Sequence, residues 1–116
     1  MPVSVVITVL NEADDLPRLL NSLSAQDRPP DEVVICDGGS TDSTLQVLQA
    51  EERLHLRVIQ RPGANISQGR NAAIEAASGD IVAVTDAGVR LSPQWLDRIV
   101  APFEDEVMQA VAGSFV

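Results

Sequence analysis

Aromatic, basic and cysteine residues are all scarce in this chain. There is no Tyr, and one Trp with two Phe makes the aromatic content 3%. So few rings exclude the stacking platforms on which single-stranded nucleic acid is bound. Basic side chains number 8 against 17 acidic ones, a formal charge of −9. A generic nucleic-acid surface or anionic-membrane surface needs clustered Lys and Arg, so both are excluded as partners. Cys36 is the single cysteine. It has no internal disulfide partner, and it sits in a Val and Ile run as a small buried hydrophobe of a cytosolic protein. Long apolar runs are missing too. The stretch Val3 to Leu10 contains Ser4 and Thr8 and falls far short of the ~18 residues of a spanning helix. No basic segment follows Met1, so no signal peptide is expected. The chain is expected in the cytoplasm, or on the cytoplasmic face of a membrane if an anchor lies outside it.

What is present is enough for a core. The 116 residues are 45% hydrophobic, which argues against disorder despite the charge. A chain of this size is one domain's worth and buries roughly 65% of its unfolded surface.

Two hydrophobic periods alternate along the chain. Val3 to Leu10 is short, continuous and β-branched, as suits a strand buried on both faces. Leu16, Leu19, Leu20 and Leu23 follow at helical spacing, with Asp14 and Asp15 at the start and Pro17 in a tolerable first-turn position. Residues 26–30 are a loop. Glu32 to Asp37 is a second buried strand closed by Gly38-Gly39, after which Ser40 or Thr41 is placed to cap a helix carrying Leu45, Val47 and Leu48. Leu54 to Gln60 is read as a third strand that includes His55 as a structural residue. Ser67 to Ala77 is an Ala-rich helix stopped by Gly79. Asp80 to Asp86 is a fourth strand, turned by Ala87-Gly88. Ser92-Pro93 opens a helix that turns Trp95, Leu96, Ile99, Val100 and Phe103 inward. Val107 to Val116 reads as the start of a fifth strand.

Strands alternating with helices predict an α/β, Rossmann-like fold with a mostly parallel sheet and helices on both faces. Right-handed crossovers put strands two and three on one side of strand one. With strand four on the other side, a switch point opens between strands one and four, where open α/β sheets bind ligands. Thr8, Leu10, Asn11 and Glu12, then Asp37 to Asp42, then Asp86 to Gly88 gather at that rim.

Asp37, Asp42 and Asp86 are expected to converge there, and a divalent cation such as Mg²⁺ or Mn²⁺ would relieve their repulsion and bind a diphosphate. The competing reading makes Asp42 a helix N-terminal charge and Asp37 a strand-ending turn. The loop Gly38-Gly39-Ser40-Thr41 lacks the Gly-Lys-Ser/Thr ending of a Walker loop, and no G-x-G-x-x-G follows strand one. Arg70-Asn71 is placed to reach a phosphate or to make a surface ion pair. Cys36 has no His partner, which disfavours nucleophilic catalysis.

Four segments together carry a resemblance. Val3-Ser-Val-Val-Ile-Thr-Val-Leu-Asn-Glu12, Val33-Val-Ile-Cys-Asp-Gly-Gly-Ser-Thr-Asp42, Ile66-Ser-Gln-Gly-Arg-Asn71 and Gly79-Asp-Ile-Val-Ala-Val-Thr-Asp-Ala-Gly88 resemble the family 2 glycosyltransferases. In order and spacing they are similar to the nucleotide-binding half of the GT-A fold, over essentially the whole chain. The resemblance implies inverting transfer of a sugar from a nucleotide-diphosphate sugar donor to an unknown acceptor, with a divalent metal on the diphosphate. It implies donor contacts at Thr8, Leu10, Glu12, Asp37, Gly38, Arg70, Asn71 and Ala87, and metal binding at Asp86. Two positions depart from the family pattern: Gly38 replaces an acid that meets the base, and Gly88 replaces the second acid of an Asp-x-Asp motif. The family's catalytic base and acceptor half lie downstream, so residues 1–116 are expected to be one nucleotide-sugar-binding domain of a longer enzyme. Such a domain by itself is expected to bind donor without turnover, and to self-associate through an open sheet edge near Ala110 to Val116. The rival readings are a non-catalytic module binding nucleotide or protein, and a nucleotidyltransferase. The latter is disfavoured because residues 11–15 contain no basic residue.

Overall fold

Alternation along the first strand decides the architecture. In β1, Val3–Val9, the residues Val3, Val5, Ile7 and Val9 enter one core while Val6 enters a second on the opposite face. This is a strand buried on both sides, as the unbroken β-branched run requires. The structure, a computed structural model, describes residues 1–104.

Seven further elements follow: α1 (Leu16–Ser24), β2 (Glu32–Asp37), α2 (Thr44–Gln49), β3 (Leu56–Gln60), α3 (Ile66–Ala76), β4 (Ile81–Asp86) and α4 (Trp95–Glu104). The sheet order is β3-β2-β1-β4, and every pairing is parallel. The chain therefore runs outward from β1 to β3, then crosses to the other side of β1, and the expected switch point between β1 and β4 is formed. Register brings Thr8 level with Cys36 on one side and Asp86 on the other.

Helices cover both faces, as predicted, but unequally. Leu16, Leu19, Leu20 and Leu23 of α1, Leu48 of α2, and Leu96, Val100 and Phe103 of α4 pack on one face. The other face carries α3, which packs on β1 and β2. There Ala73 is buried with Val6, Val34 and Cys36. A thin Ala- and Gly-bearing helix lies closer to a sheet than a Leu-rich one. A Cβ built on Gly69 would stand 3.2 Å from Thr8 Cγ2 and 3.6 Å from Cys36 Sγ.

The amino end of the sheet is closed by a carboxylate. Glu32 is 6% exposed. Its Oε2 accepts Ser4 Oγ at 2.6 Å, Ser78 N–H at 2.6 Å and Ser78 Oγ at 2.8 Å, and Arg57 Nη2 lies 4.0 Å from Oε1. Burial pushes the carboxyl pKa up, but the three hydrogen bonds and the Arg57 charge outweigh it and hold the value at about 2. Ser4 Oγ in turn accepts Gly79 N–H at 2.9 Å. Gly79 is required for this approach, since a Cβ there would stand 2.6 Å from Ser4 Oγ and 2.7 Å from Ser4 N.

Several boundaries differ from the sequence expectations, each for a local reason. β3 begins at Leu56, so His55 lies outside the strand and is exposed; its carbonyl accepts Val33 N–H at 2.8 Å. Neither Ser40 nor Thr41 caps α2: the Ser40 hydroxyl bonds Asp37 and the Thr41 hydroxyl bonds Asn11, and Ser43 takes the N-cap position. The helix starts at Thr44 instead. Asn65 with Gln68 forms a capping box that starts α3 one residue early, and the helix ends at Ala76, with Ala77 extended, before Gly79 is reached. Ser92 and Pro93 precede α4 by a turn, in which Trp95 N–H meets Ser92 carbonyl at 3.1 Å. The expected fifth strand and the open edge near Ala110 to Val116 lie outside the described residues. Among the described residues, no helix is long and apolar enough to cross a membrane.

Candidate functional site: a cleft at the carboxyl ends of the strands

Parallel strands end at one side of the sheet, so the loops after β1, β2 and β4 share a rim with the start of α3. A cleft of about 780 Å³ opens among them. Its floor includes Thr8, Cys36 and Gly69; Leu10, Glu12, Gly38, Ile66, Asp86, Ala87 and Gly88 also line it. The floor is low because Gly69 has no side chain, which lets α3 approach Thr8 and Cys36 closely. Leu10 and Ile66 are 52% and 67% exposed, so one part of the lining is an apolar surface. The acidic part is Glu12 and Asp86. Neither carboxylate accepts a hydrogen bond from a described residue, and Asp86 is exposed at the end of β4.

Of the residues predicted from sequence, Thr8, Leu10, Glu12, Gly38, Asp86 and Ala87 meet at this cleft. Asp37, Arg70 and Asn71 do not line it. Asp37 is 2% exposed and faces its own loop, accepting Gly39 N–H at 3.2 Å, Ser40 N–H at 3.1 Å and the Ser40 hydroxyl. Arg70 is half-buried and Asn71 exposed on α3.

The expected convergence of Asp37, Asp42 and Asp86 is not formed. Asp42 accepts the Thr44 amide and hydroxyl through Oδ1 and Ala13 N–H through Oδ2, the Ala13 bond at 3.3 Å. The Thr44 hydroxyl above all holds its carboxyl below the usual range. Loop amides thus occupy two of the three acids, and no group of three His, Cys, Asp or Glu able to hold a metal occurs among the described residues. Of the three aspartates, Asp86 alone lines the cleft. Gly88 beside it has nothing within 4 Å of a built Cβ. A Mg²⁺-type ion is commonly held by one or two carboxylates together with substrate phosphates and water, so one acid facing an open cleft fits that mode and not an all-protein cage. Cys36 is buried in the floor, where burial raises its thiol pKa.

Sequence reasoning missed Asn65, Ile66 and Ser67, which bring the start of α3 to the cleft. The signal was there in the capping box Asn65-x-x-Gln68, but an Ala-rich helix conceals its start when only apolar spacing is read.

The comparisons agree with this geometry. The sequence model of the family described as Glycosyl transferase family 2 matches residues 4–116. An uncharacterized glycosyltransferase of Nostoc sp. is 39% identical over 107 residues, covering 90% of this chain and 33% of the relative. The S. aureus TarS structure in complex with UDP-GlcNAc is similar at a TM-score of 0.80 and 32% identity, covering 90% of this chain and 31% of that one. The mannosyltransferase PcManGT from Pyrobaculum calidifontis, in complex with GDP-Man and Mn²⁺, gives a TM-score of 0.81 at 28% identity, covering 90% and 32%. The chain thus spans about a third of the length of these three relatives. Fold, motif order and cleft place it with the GT-A glycosyltransferases: the chain belongs to glycosyl transferase family 2.

Proposed function

We propose that the cleft binds a nucleotide-diphosphate sugar together with a divalent cation, and that the protein transfers the sugar to an acceptor with inversion. One observation carries the reading. Thr8, Leu10, Glu12, Asp86 and Ala87, drawn from the ends of β1 and β4, share a cleft of about 780 Å³ at the switch point. That volume suits a small-molecule site of roughly 300–1,000 Å³. The donors held by the two solved relatives, UDP-GlcNAc and GDP-Man, support a nucleotide sugar as ligand.

The roles follow from charge and shape. Leu10 and Ile66 offer apolar area to a base, and Thr8 and Gly38 leave the floor open beneath it. Glu12 and Asp86 make the other part anionic, so a diphosphate would be repelled unless a cation intervenes. Asp86 would hold that cation, which would neutralise the diphosphate and make it a better leaving group. Thermal shift and calorimetry with UDP-, GDP- and dTDP-sugars, with Mn²⁺ or with chelator, test the reading. Binding is expected with Mn²⁺ and a large loss in chelator; equal binding in both would remove the cation from the site.

A second reading, a non-catalytic module binding nucleotide, is favoured by Gly88 where a second acid would strengthen the cation site. Radiolabelled donor offered with mixed acceptors to a protein that also carries the acceptor half separates the two, because a module leaves the donor intact there as well. Residues 1–116 alone are expected to bind without turnover under either reading.

A further inference from the structure

Asn11 stands at φ 54°, and among the described residues no other residue except glycine has positive φ. Asn tolerates this left-handed conformation better than most L residues, because its short polar side chain finds hydrogen bonds. Here those bonds cross to another loop. Asn11 Oδ1 accepts Thr41 N–H at 2.8 Å and Asp42 N–H at 3.3 Å, and Asn11 N–H donates to Ser40 Oγ at 2.9 Å. The next two amides follow the same course. Glu12 N–H donates to Thr44 Oγ1 at 2.9 Å and Ala13 N–H to Asp42 Oδ2 at 3.3 Å. The turn after β1 therefore hangs from the loop between β2 and α2.

Asn11 does not line the cleft, but both its neighbours do. The Leu10 side chain is 52% exposed, and the Glu12 carboxylate accepts no bond from a described residue. With no side-chain anchors, the heading of both is set by the backbone between them. The buried anchors Val9 and Leu16 lie on either side of the turn, so the turn itself carries no core.

We infer that Asn11 is a positioning residue of the ligand cleft. Its side-chain carbonyl lashes the turn to the 40–44 loop and so fixes the height and heading of Leu10 and Glu12. The inference rests on the donor-binding reading above. The oxygen is the acting part: Asp keeps an acceptor at that place, whereas Gly keeps the left-handed backbone and removes the acceptor.

The test compares the whole chain with its Asn11→Gly and Asn11→Asp variants. Ligand-free amide hydrogen exchange is measured at Glu12 and Ala13, with Val5 and Ile7 as controls. UDP and GDP are then titrated calorimetrically in Mn²⁺. Asn11→Gly is expected to speed exchange at Glu12 and Ala13 and to weaken nucleotide binding, each by about tenfold, the scale of one or two lost hydrogen bonds. The β1 controls and the unfolding midpoint should not move, and Asn11→Asp should lie nearer the parent in both readouts. Parental exchange in Asn11→Gly overturns the inference. So does an affinity loss matched by a fallen midpoint, or an Asp variant no better than Gly. If the parent binds neither nucleotide, the donor reading fails by itself, and the exchange rates alone decide whether Asn11 holds the turn.

Discussion

The two ends of the sheet treat carboxylates in opposite ways. At the amino end, Glu32 is buried under hydrogen bonds from Ser4 and Ser78 with Arg57 nearby, and its pKa is held at about 2. At the carboxyl end, Glu12 and Asp86 face a cleft and accept nothing from described residues. A satisfied charge ties β1, β2 and the approach to β4 together. Charges left unsatisfied at the other end store no such stability; they are available to a ligand. The same residue chemistry therefore serves the fold at one end and stays open to the ligand proposed above at the other, and partners decide which.

The largest expected effect belongs to the amino end. Glu32→Ala would leave the Ser4 and Ser78 donors unpaired in a nearly dry site, a cost on the order of 3 kcal/mol. Urea unfolding should show it, with nucleotide affinity in Mn²⁺ unchanged. A pH titration sharpens the point. The folded pKa of about 2 lies below the ordinary 4.5, so the stabilisation is fully present above pH 4.5 and fades as pH falls toward 2. At most about 3 kcal/mol is lost in that window, and Glu32→Gln should flatten the slope. An acid profile unchanged by that substitution would break the contrast between the ends.

Next in size, Asp86→Asn should remove the Mn²⁺-dependent part of nucleotide binding, more than tenfold or about 1.4 kcal/mol. Stability should stay within about 0.5 kcal/mol, because the side chain is exposed. Calorimetry and urea unfolding on one sample read both numbers; a binding curve like the parent's would reduce Asp86 to a turn residue.

A smaller effect is expected beneath the cleft. Gly69→Ala sets a methyl 3.2 Å from Thr8 Cγ2, an overpacking cost of about 1 kcal/mol that the gain of about 1 kcal/mol from replacing a glycine inside α3 offsets. Nucleotide affinity should therefore fall a few fold while stability stays within about 0.5 kcal/mol, unlike the loss at the amino end. The smallest change is Gly88→Asp. Open space surrounds that position, so stability should hold within about 0.5 kcal/mol, while Mn²⁺ affinity in a direct metal titration should rise severalfold through a second carboxylate.

The layered α/β architecture and its ligand-side rim are legible from residue order alone. Continuous β-branched runs in β1 and β2, leucines at helical spacing in α1, and Gly-bearing turns after β2 and β4 are local signals, and local propensities state them directly. The motif order placed Thr8, Leu10, Glu12, Gly38, Asp86 and Ala87 at one cleft, because parallel strands with right-handed crossovers leave their ends together. The surroundings of each acid, by contrast, come from packing between distant segments. Glu32 reads as an ordinary first strand residue until Ser4 and Ser78, 28 and 46 residues away, close over it. Asp37 and Asp42 read as members of an acidic rim, or as a strand-ending turn and a helix N-terminal charge, until the amides of Gly39, Ser40, Ala13 and Thr44 are seen to occupy them. His55 reads as a strand residue, but the strand starts at Leu56, two places later than the apolar pattern suggests. A carboxylate's role depends on which donors reach it within 3 Å or so, and donors supplied from distant segments leave no mark in the local pattern.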